Sequence, residues 1–411
     1  MNYDIVIVGA GIIGLNIAYQ CARRGNLRIL VLERGAGVGE GSTGASSAAC
    51  RHRYSADDLT VLARDGINAY RHWQEYLALD ATRASFQNEG VLWMPCDNGE
   101  WAHREFQRLG DLGIRSEILT ADETSDRFPA FATCTRYPDL ITGNDHPCDH
   151  GGFNLFEKDG GYIDPVSAAQ DLVDALRERG VELRFNTQLV SIQREDGGTH
   201  SMTLANGDIV NTALVVNAAG PWCESLNTMA GFEHPWSLTP TRIQVFHLDR
   251  PSTLEGQIPV TVDTAGGIYF RTQNRGQQLI VSSILEADEE EVVENADDFS
   301  RETDDTFGAQ KLHALQHRLP GLDLRTKPSG YCGLYTINRQ DVHPVLGPTS
   351  IEGYWVANGF SGHGFKLAPA IGAMVARGLL GEIRDFDTEV PLSFLSVNRT
   401  PLAVDSLSVM A

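Results

Sequence analysis

A chain of 411 residues exceeds what one hydrophobic core usually supports, so two intimately joined domains are expected. With 42% apolar and 21% charged residues the composition is that of a globular protein, and the net charge of −21 argues against a nucleic-acid or anionic-membrane partner. The seven cysteines are scattered with no CxxC pair, which reads as reduced thiols in a cytoplasmic protein.

The N-terminal apolar run lacks a basic region and a cleavage site, and glycines interrupt it, so neither a signal peptide nor a membrane span is expected. Tyr3–Val8 reads as a buried parallel strand. From Gly11 the period turns helical, with Ile13, Ile17, Ala18, Cys21 and Ala22 on one face, and Arg28–Leu32 is a second buried strand. Further helix signals lie at 57–77 and 165–179. Strand signals lie at 182–185, 189–193, 201–204 and 214–217, then at 243–248, 267–270 and 278–283 in a more antiparallel pattern. A last helix spans 371–380, with Pro369 as a tolerated first-turn residue. The fold class is α/β (α+β overall): a discontinuous Rossmann-like dinucleotide-binding domain with an inserted substrate domain on a large mixed or antiparallel sheet. The first comprises residues 1–85, 150–230 and 330–385, the second 86–149 and 231–329, and 386–411 form a tail.

Two stretches invite other readings. Eleven acidic residues and one Arg fill 286–305, which reads as a solvated face. His146, Cys148, Asp149 and His150 have the composition of a metal site but no recognised ligand spacing, so no metal is expected.

The first motif with chemistry is Gly9-Ala10-Gly11-Ile12-Ile13-Gly14, between strand and helix. Gly9 permits the turn, Gly11 lets backbone approach a pyrophosphate, and Gly14 lets the helix pack on the sheet. The helix N-terminus then faces the anion. Glu33, ending the second strand, is placed to accept from ribose hydroxyls and to repel a 2′-phosphate. The fingerprint is shared by FAD and NAD. Two further segments suit close backbone contact with a cofactor: the hydroxyl-rich Gly41–Ser47 and the small-residue strand end Val215–Gly220.

These segments, with Gly220-Pro221-Trp222 and Gly359-Phe360-Ser361-Gly362-His363-Gly364-Phe365-Lys366, occur in the order that resembles the D-amino-acid-oxidase superfamily of FAD-dependent oxidoreductases. The likeness is to its sarcosine oxidase, glycine oxidase and dimethylglycine dehydrogenase branch and covers nearly the whole chain. It implies FAD held by Gly9, Gly11, Gly14, Glu33, Arg34, Ser42, Thr43, Ser46, Ser47, Val190, Ala219, Gly220, Trp222, Gly362, His363, Gly364, Phe365 and Lys366. It also implies oxidation of the C–N bond of an amino acid or N-methyl (N-substituted) amino acid by hydride transfer to flavin N5, giving an imine. Arg51 and Lys366 match the clamp on the substrate carboxylate, with Arg53 and Arg271 as competitors; Tyr269 and Tyr335 match aromatic walls, and His363 a contact to flavin or substrate.

The chain departs from the sarcosine oxidase pattern at two places. The covalent attachment cysteine falls at Gly333, with Cys332 one residue early, so FAD is expected to be non-covalent. The lysine that speeds reaction with oxygen falls at Ile280, so a dehydrogenase is favoured over an oxidase. The alternatives are a 2-hydroxy-acid dehydrogenase on the same scaffold and a flavin-binding subunit or assembly factor that passes electrons to an acceptor or subunit partner.

Overall fold

The computed structural model describes residues 2–195, 197–322, 328–404 and 406–408; part of the expected C-terminal tail thus lies outside the described residues. Strand β1 (Asn2–Val8), helix α1 (Ile12–Ala22) and strand β2 (Ile29–Leu32) form the opening βαβ unit, with β1 parallel to β2 and to the strand Ile209–Asn217. Glu182–Arg184 and Tyr354–Asn358 extend this parallel set at its two sides. The inner strands are apolar on both faces because both are covered. Helix α1, the helices Pro165–Glu178 and Gly364–Leu380 and their apolar side chains lie on one face; Leu189, Met202, Phe232 and Trp236 lie on the other.

The second sheet runs in the order Ser329–Asn338, Leu238–Asp249, Gln278–Ser283, Ile268–Gln273, Val260–Asp263, Val91–Met94, Phe153–Glu157, Ser116–Thr120. It is antiparallel except where Val260–Asp263 pairs with Val91–Met94. Alternation along its central strands divides their side chains. Phe270, Leu279 and Val281 face a core that includes Leu312 and Leu315 of the helix Asp305–Arg318. Tyr269, Arg271, Ile280 and Ser282 take the opposite face, because residues directly paired across strands share a face. The strands of this sheet include Phe153–Glu157 and Ser329–Asn338, and assignment of whole segments to a cofactor or a substrate domain is our proposal.

Two expectations are corrected. The last helix begins at Gly364, so Pro369 lies inside it. An internal proline leaves the carbonyl four residues earlier, that of Phe365, without its helical donor. Here the hydroxyl of Tyr70 donates to that carbonyl at 2.8 Å. Tyr70 belongs to α2 (Asp57–Arg71), whose Gly66 packs so tightly that a Cβ there would come within 2.3 Å of the Lys366 carbonyl oxygen. Helix α2 therefore fixes the start of the last helix. Tyr70→Phe strands a buried carbonyl and should cost about 1–3 kcal/mol, read as a lowered midpoint in urea unfolding with no change in the denaturant slope.

The acidic run is not a uniformly solvated face. Asp288 pairs with buried Lys311 at 2.6 Å, Glu291 and Asp304 flank buried Arg242 at 2.7 and 3.2 Å, and Asp297 accepts from Trp222 Nε1 at 3.0 Å. No helix among the described residues is long and apolar enough to cross a membrane.

Candidate active site

A cavity of about 450 Å³ opens where β1 and β2 end. The tight turn at its floor depends on two glycines. Gly9 has φ +109°, and a Cβ on it would lie 2.5 Å from the Ala218 carbonyl oxygen; one on Gly14 would lie 2.0 Å from that of Gly9. Gly14 thus works by packing and does not line the cavity, whereas Gly9 and Gly11 do. Helix α1 starts at this cavity with no acidic residue in its first turn, so its positive end is presented to an anion. Glu33 holds the turn from the far side, accepting from Ala10 N at 2.9 Å and Gly35 N at 2.8 Å.

The hydroxyl-rich loop folds over this floor. Thr43 Oγ1 accepts from Ile12 N at 3.0 Å, Ser42 donates to the Leu334 carbonyl at 2.6 Å, and Ser46 Oγ accepts from Ala48 N at 3.0 Å. Ser42, Thr43 and Ser46 line the cavity together with Arg34, Ala219, Gly220, Trp222, Gly362, Gly364 and Phe365. The turn before the last helix carries positive φ at Gly359, Ser361 and Gly362, and a Cβ on Gly362 would touch the Tyr335 ring at 2.6 Å. Glycine there lets Tyr335 reach the cavity wall.

The profile of the family described as FAD dependent oxidoreductase (DAO) matches residues 4–377. The chain belongs to that family. It is 27% identical to FAD-dependent oxidoreductase domain-containing protein 1 of Bos taurus, over 92% of this chain and 81% of that protein. It is 25% identical to N-methyl-L-tryptophan oxidase of Yersinia pestis (strain Pestoides F), over 92% of this chain and 94% of that one. Among solved structures, L-proline dehydrogenase from P. horikoshii shares the fold with a TM-score of 0.80 at 21% identity, covering 96% and 97% of the two chains.

This DAO-family protein is therefore an FAD-dependent oxidoreductase, and its residues fit the cofactor: a glycine floor no side chain can occupy, a helix N-terminus and a carboxylate in the two places a dinucleotide needs them. One wall joins two expected residues, Arg34 and Trp222, to a third, Asp297, that pattern reading missed. Arg34 stacks over the Trp222 ring at 3.9 Å and pairs with Asp297, drawn from the acidic run. A charge-rich segment gives no periodic signal that marks one of its carboxylates as a cavity wall.

Several candidates stand elsewhere than expected. Val190 is 46% exposed; strand alternation turns Leu189 inward instead, beside Thr187 and Gln188. His363 is fully buried, its ring edge-on to Tyr54 at 5.0 Å and beside His343 at 5.5 Å, and the cavity wall is formed by its neighbours Gly362 and Gly364. The side chains of Ser47, Lys366, Arg51 and Tyr269 are also not among the cavity-lining residues; they gather behind the loop.

That second group is strongly cationic. Arg51 is buried over the Tyr54 ring at 4.2 Å, in a loop pinned by buried Glu157, which accepts from His52 N at 2.7 Å and Trp93 Nε1 at 2.8 Å. Lys366 is buried, with Nζ 3.4 Å from the Gly362 carbonyl; burial and then the nearby Arg51 charge push its pKa down to about 7. Arg271 donates to the Ser47 carbonyl at 2.6 Å and lies over the Tyr162 ring at 4.2 Å. Both Lys366 and Arg271 act electrostatically on the buried Cys50 thiol. Arg53, by contrast, is paired with Glu105 at 3.2 Å. Tyr269 and Tyr335 lie near one another, and burial raises the pKa of both, keeping the hydroxyls neutral.

The oxygen-site reasoning needs one change. Ile280 is buried, as counted, but its cross-strand partner is Arg271, so a cation does stand on that sheet face.

Cys332 turns away from the cavity, its thiol toward the Glu302 carbonyl at 3.2 Å, while Gly333 faces Ala45 of the hydroxyl-rich loop. Non-covalent FAD is the expected result: acid precipitation should leave the yellow colour in the supernatant, and flavin retained in the pellet on a Cys332 peptide would contradict it.

Proposed function

We propose that this oxidoreductase oxidises the C–N bond of an amino acid or N-substituted amino acid, releasing an imine that hydrolyses. The observation that carries the reading is the buried cationic group Arg51, Lys366 and Arg271 around Cys50, in a protein whose net charge is −21. An α-carboxylate held by Arg51 and Lys366 would complement this cationic group through charge-assisted hydrogen bonds. The relative named N-methyl-L-tryptophan oxidase supports the same substrate class.

The same charges disfavour an ammonium, so the substrate amine is held neutral, with the lone pair that loss of hydride from the adjacent carbon requires. FAD bound in the neighbouring cavity supplies the two-electron acceptor. Tyr269 and Tyr335 orient the substrate as neutral hydroxyls and take no proton near neutral pH. Anaerobic bleaching of the flavin by a panel of amino and N-methyl amino acids, beside their 2-hydroxy analogues, tests the assignment. Bleaching by hydroxy acids alone would replace it with 2-hydroxy-acid oxidation.

We propose a dehydrogenase rather than an oxidase: Ile280 is apolar, and the cation opposite it, Arg271, is engaged by the Ser47 carbonyl and the Tyr162 ring. Reduced enzyme mixed with aerated buffer should reoxidise slowly. Rapid reoxidation with stoichiometric hydrogen peroxide, lost in Arg271→Leu, would assign oxidase chemistry and name Arg271 as the cation that stabilises superoxide.

A further inference from the structure

Away from the flavin site, the long connection 128–152 contains no helix or strand, only an isolated bridge between Cys134 and His150. Connections of this length without regular structure are uncommon in compact domains unless something ties them down. The fold brings together the ligand atoms of Cys134, His146 and Cys148, all within 4.8 Å of one another. Cys134 Sγ and His146 Nε2 are 3.3 Å apart. A tetrahedral zinc ion, with bonds of about 2.3 Å to sulfur and about 2.0–2.1 Å to nitrogen, places such a pair roughly 3.5 Å apart.

A fourth candidate, outside that set of three, packs against His146. The His317 ring, near the end of the helix Asp305–Arg318, lies 4.9 Å from the His146 ring, and its buried Nε2 has no hydrogen-bond partner among the described residues. Two imidazoles on one tetrahedral ion have ring centres about 5 Å apart. We propose that Cys134, His146, Cys148 and His317 form a structural zinc site that staples this connection to the helix Asp305–Arg318.

A buried cation stands beside the cluster. Arg318, whose charge is matched by buried Asp263 at 2.8 Å, exerts a favourable field on both sulfurs. Binding releases two thiol protons, and two thiolates with two neutral imidazoles balance the divalent charge. The scaffold is already tied at the base, where Ala132 N donates to the Arg318 carbonyl at 2.8 Å and Thr135 N to that of Asp149 at 2.8 Å. Asp149 and His150 are spent on this framing, the latter against Thr133 at 3.3 Å. A Cys/His set of this kind selects zinc over calcium or magnesium.

Elemental analysis of the full chain, purified under reductant without chelator, should find about one zinc per chain. Cobalt(II) exchanged into the site should show intense sulfur-to-metal charge transfer and tetrahedral ligand-field bands. Cys148→Ser, in an exposed part of the connection, should keep its circular dichroism and FAD content while metal falls to below about a tenth per chain. His317→Ala should keep the charge-transfer band and alter the ligand-field bands. Reduced protein that takes up neither zinc nor cobalt overturns the proposal. So does zinc content unchanged in Cys148→Ser, or a Cys134–Cys148 disulfide whose reduction yields no cobalt spectrum.

Discussion

Arg51→Met and Lys366→Met should each raise the KM for the amine substrate by roughly 10²- to 5 × 10³-fold while FAD content stays near normal, because removing one partner of a buried ion pair costs about 3–5 kcal/mol. Lys366 adds a pH signature. Its folded pKa is about 7, and the unfolded value is the ordinary 10.5. The charged form that grips a carboxylate is present below about 7, so substrate affinity should fall as pH rises through that region, and Lys366→Met should flatten the profile. The stability of the substrate-free protein runs the other way. Between about 7 and 10.5 the unfolded chain carries a proton that the folded chain lacks, so stability rises with pH across that window; below 7 the full cost of the buried ammonium is felt. Lys366→Met should therefore be more stable than the wild type at pH 6, by on the order of a few kcal/mol, while binding substrate worse. A variant less stable at pH 6, with unchanged KM, would remove Lys366 from the clamp.

Gly14→Ala should abolish FAD retention, and Gly11→Ala separates the two reasons a glycine is needed here. At Gly14 the added methyl meets the Gly9 carbonyl at 2.0 Å, backbone against backbone, so turn and helix must part. The variant should lose both cofactor and thermal stability. At Gly11 the methyl meets only Thr43 Oγ1 at 3.3 Å, a side-chain atom with room to shift. That apoprotein should fold like the wild type, yet bind FAD at least about tenfold more weakly, because the methyl stands where the pyrophosphate approaches the backbone. Equal FAD content in Gly11→Ala and the wild type, measured by flavin absorbance after gel filtration, would move the pyrophosphate off this turn.

What the sequence determined by itself is what short-range physics encodes. The opening βαβ unit follows from the change of hydrophobic period at Gly11 and from glycines with no room for a side chain, so β1, α1 and β2 fall close to where they were read. The segments that carry the family resemblance converge on one cavity, since Gly9, Gly11, Glu33, Ser42, Thr43, Ser46 and Trp222 all line it. Only the tertiary structure decided the rest, because it depends on contacts between residues far apart in the chain. Strand alternation put Leu189 rather than Val190 at the cavity. A tyrosine some three hundred residues away, Tyr70, made Pro369 tolerable inside a helix. Pairing placed Arg271 opposite Ile280, and a long connection carried Cys134 to His146 and Cys148. Charge without period, as in the acidic run, leaves its partners unspecified until the fold supplies Arg34, Arg242 and Lys311.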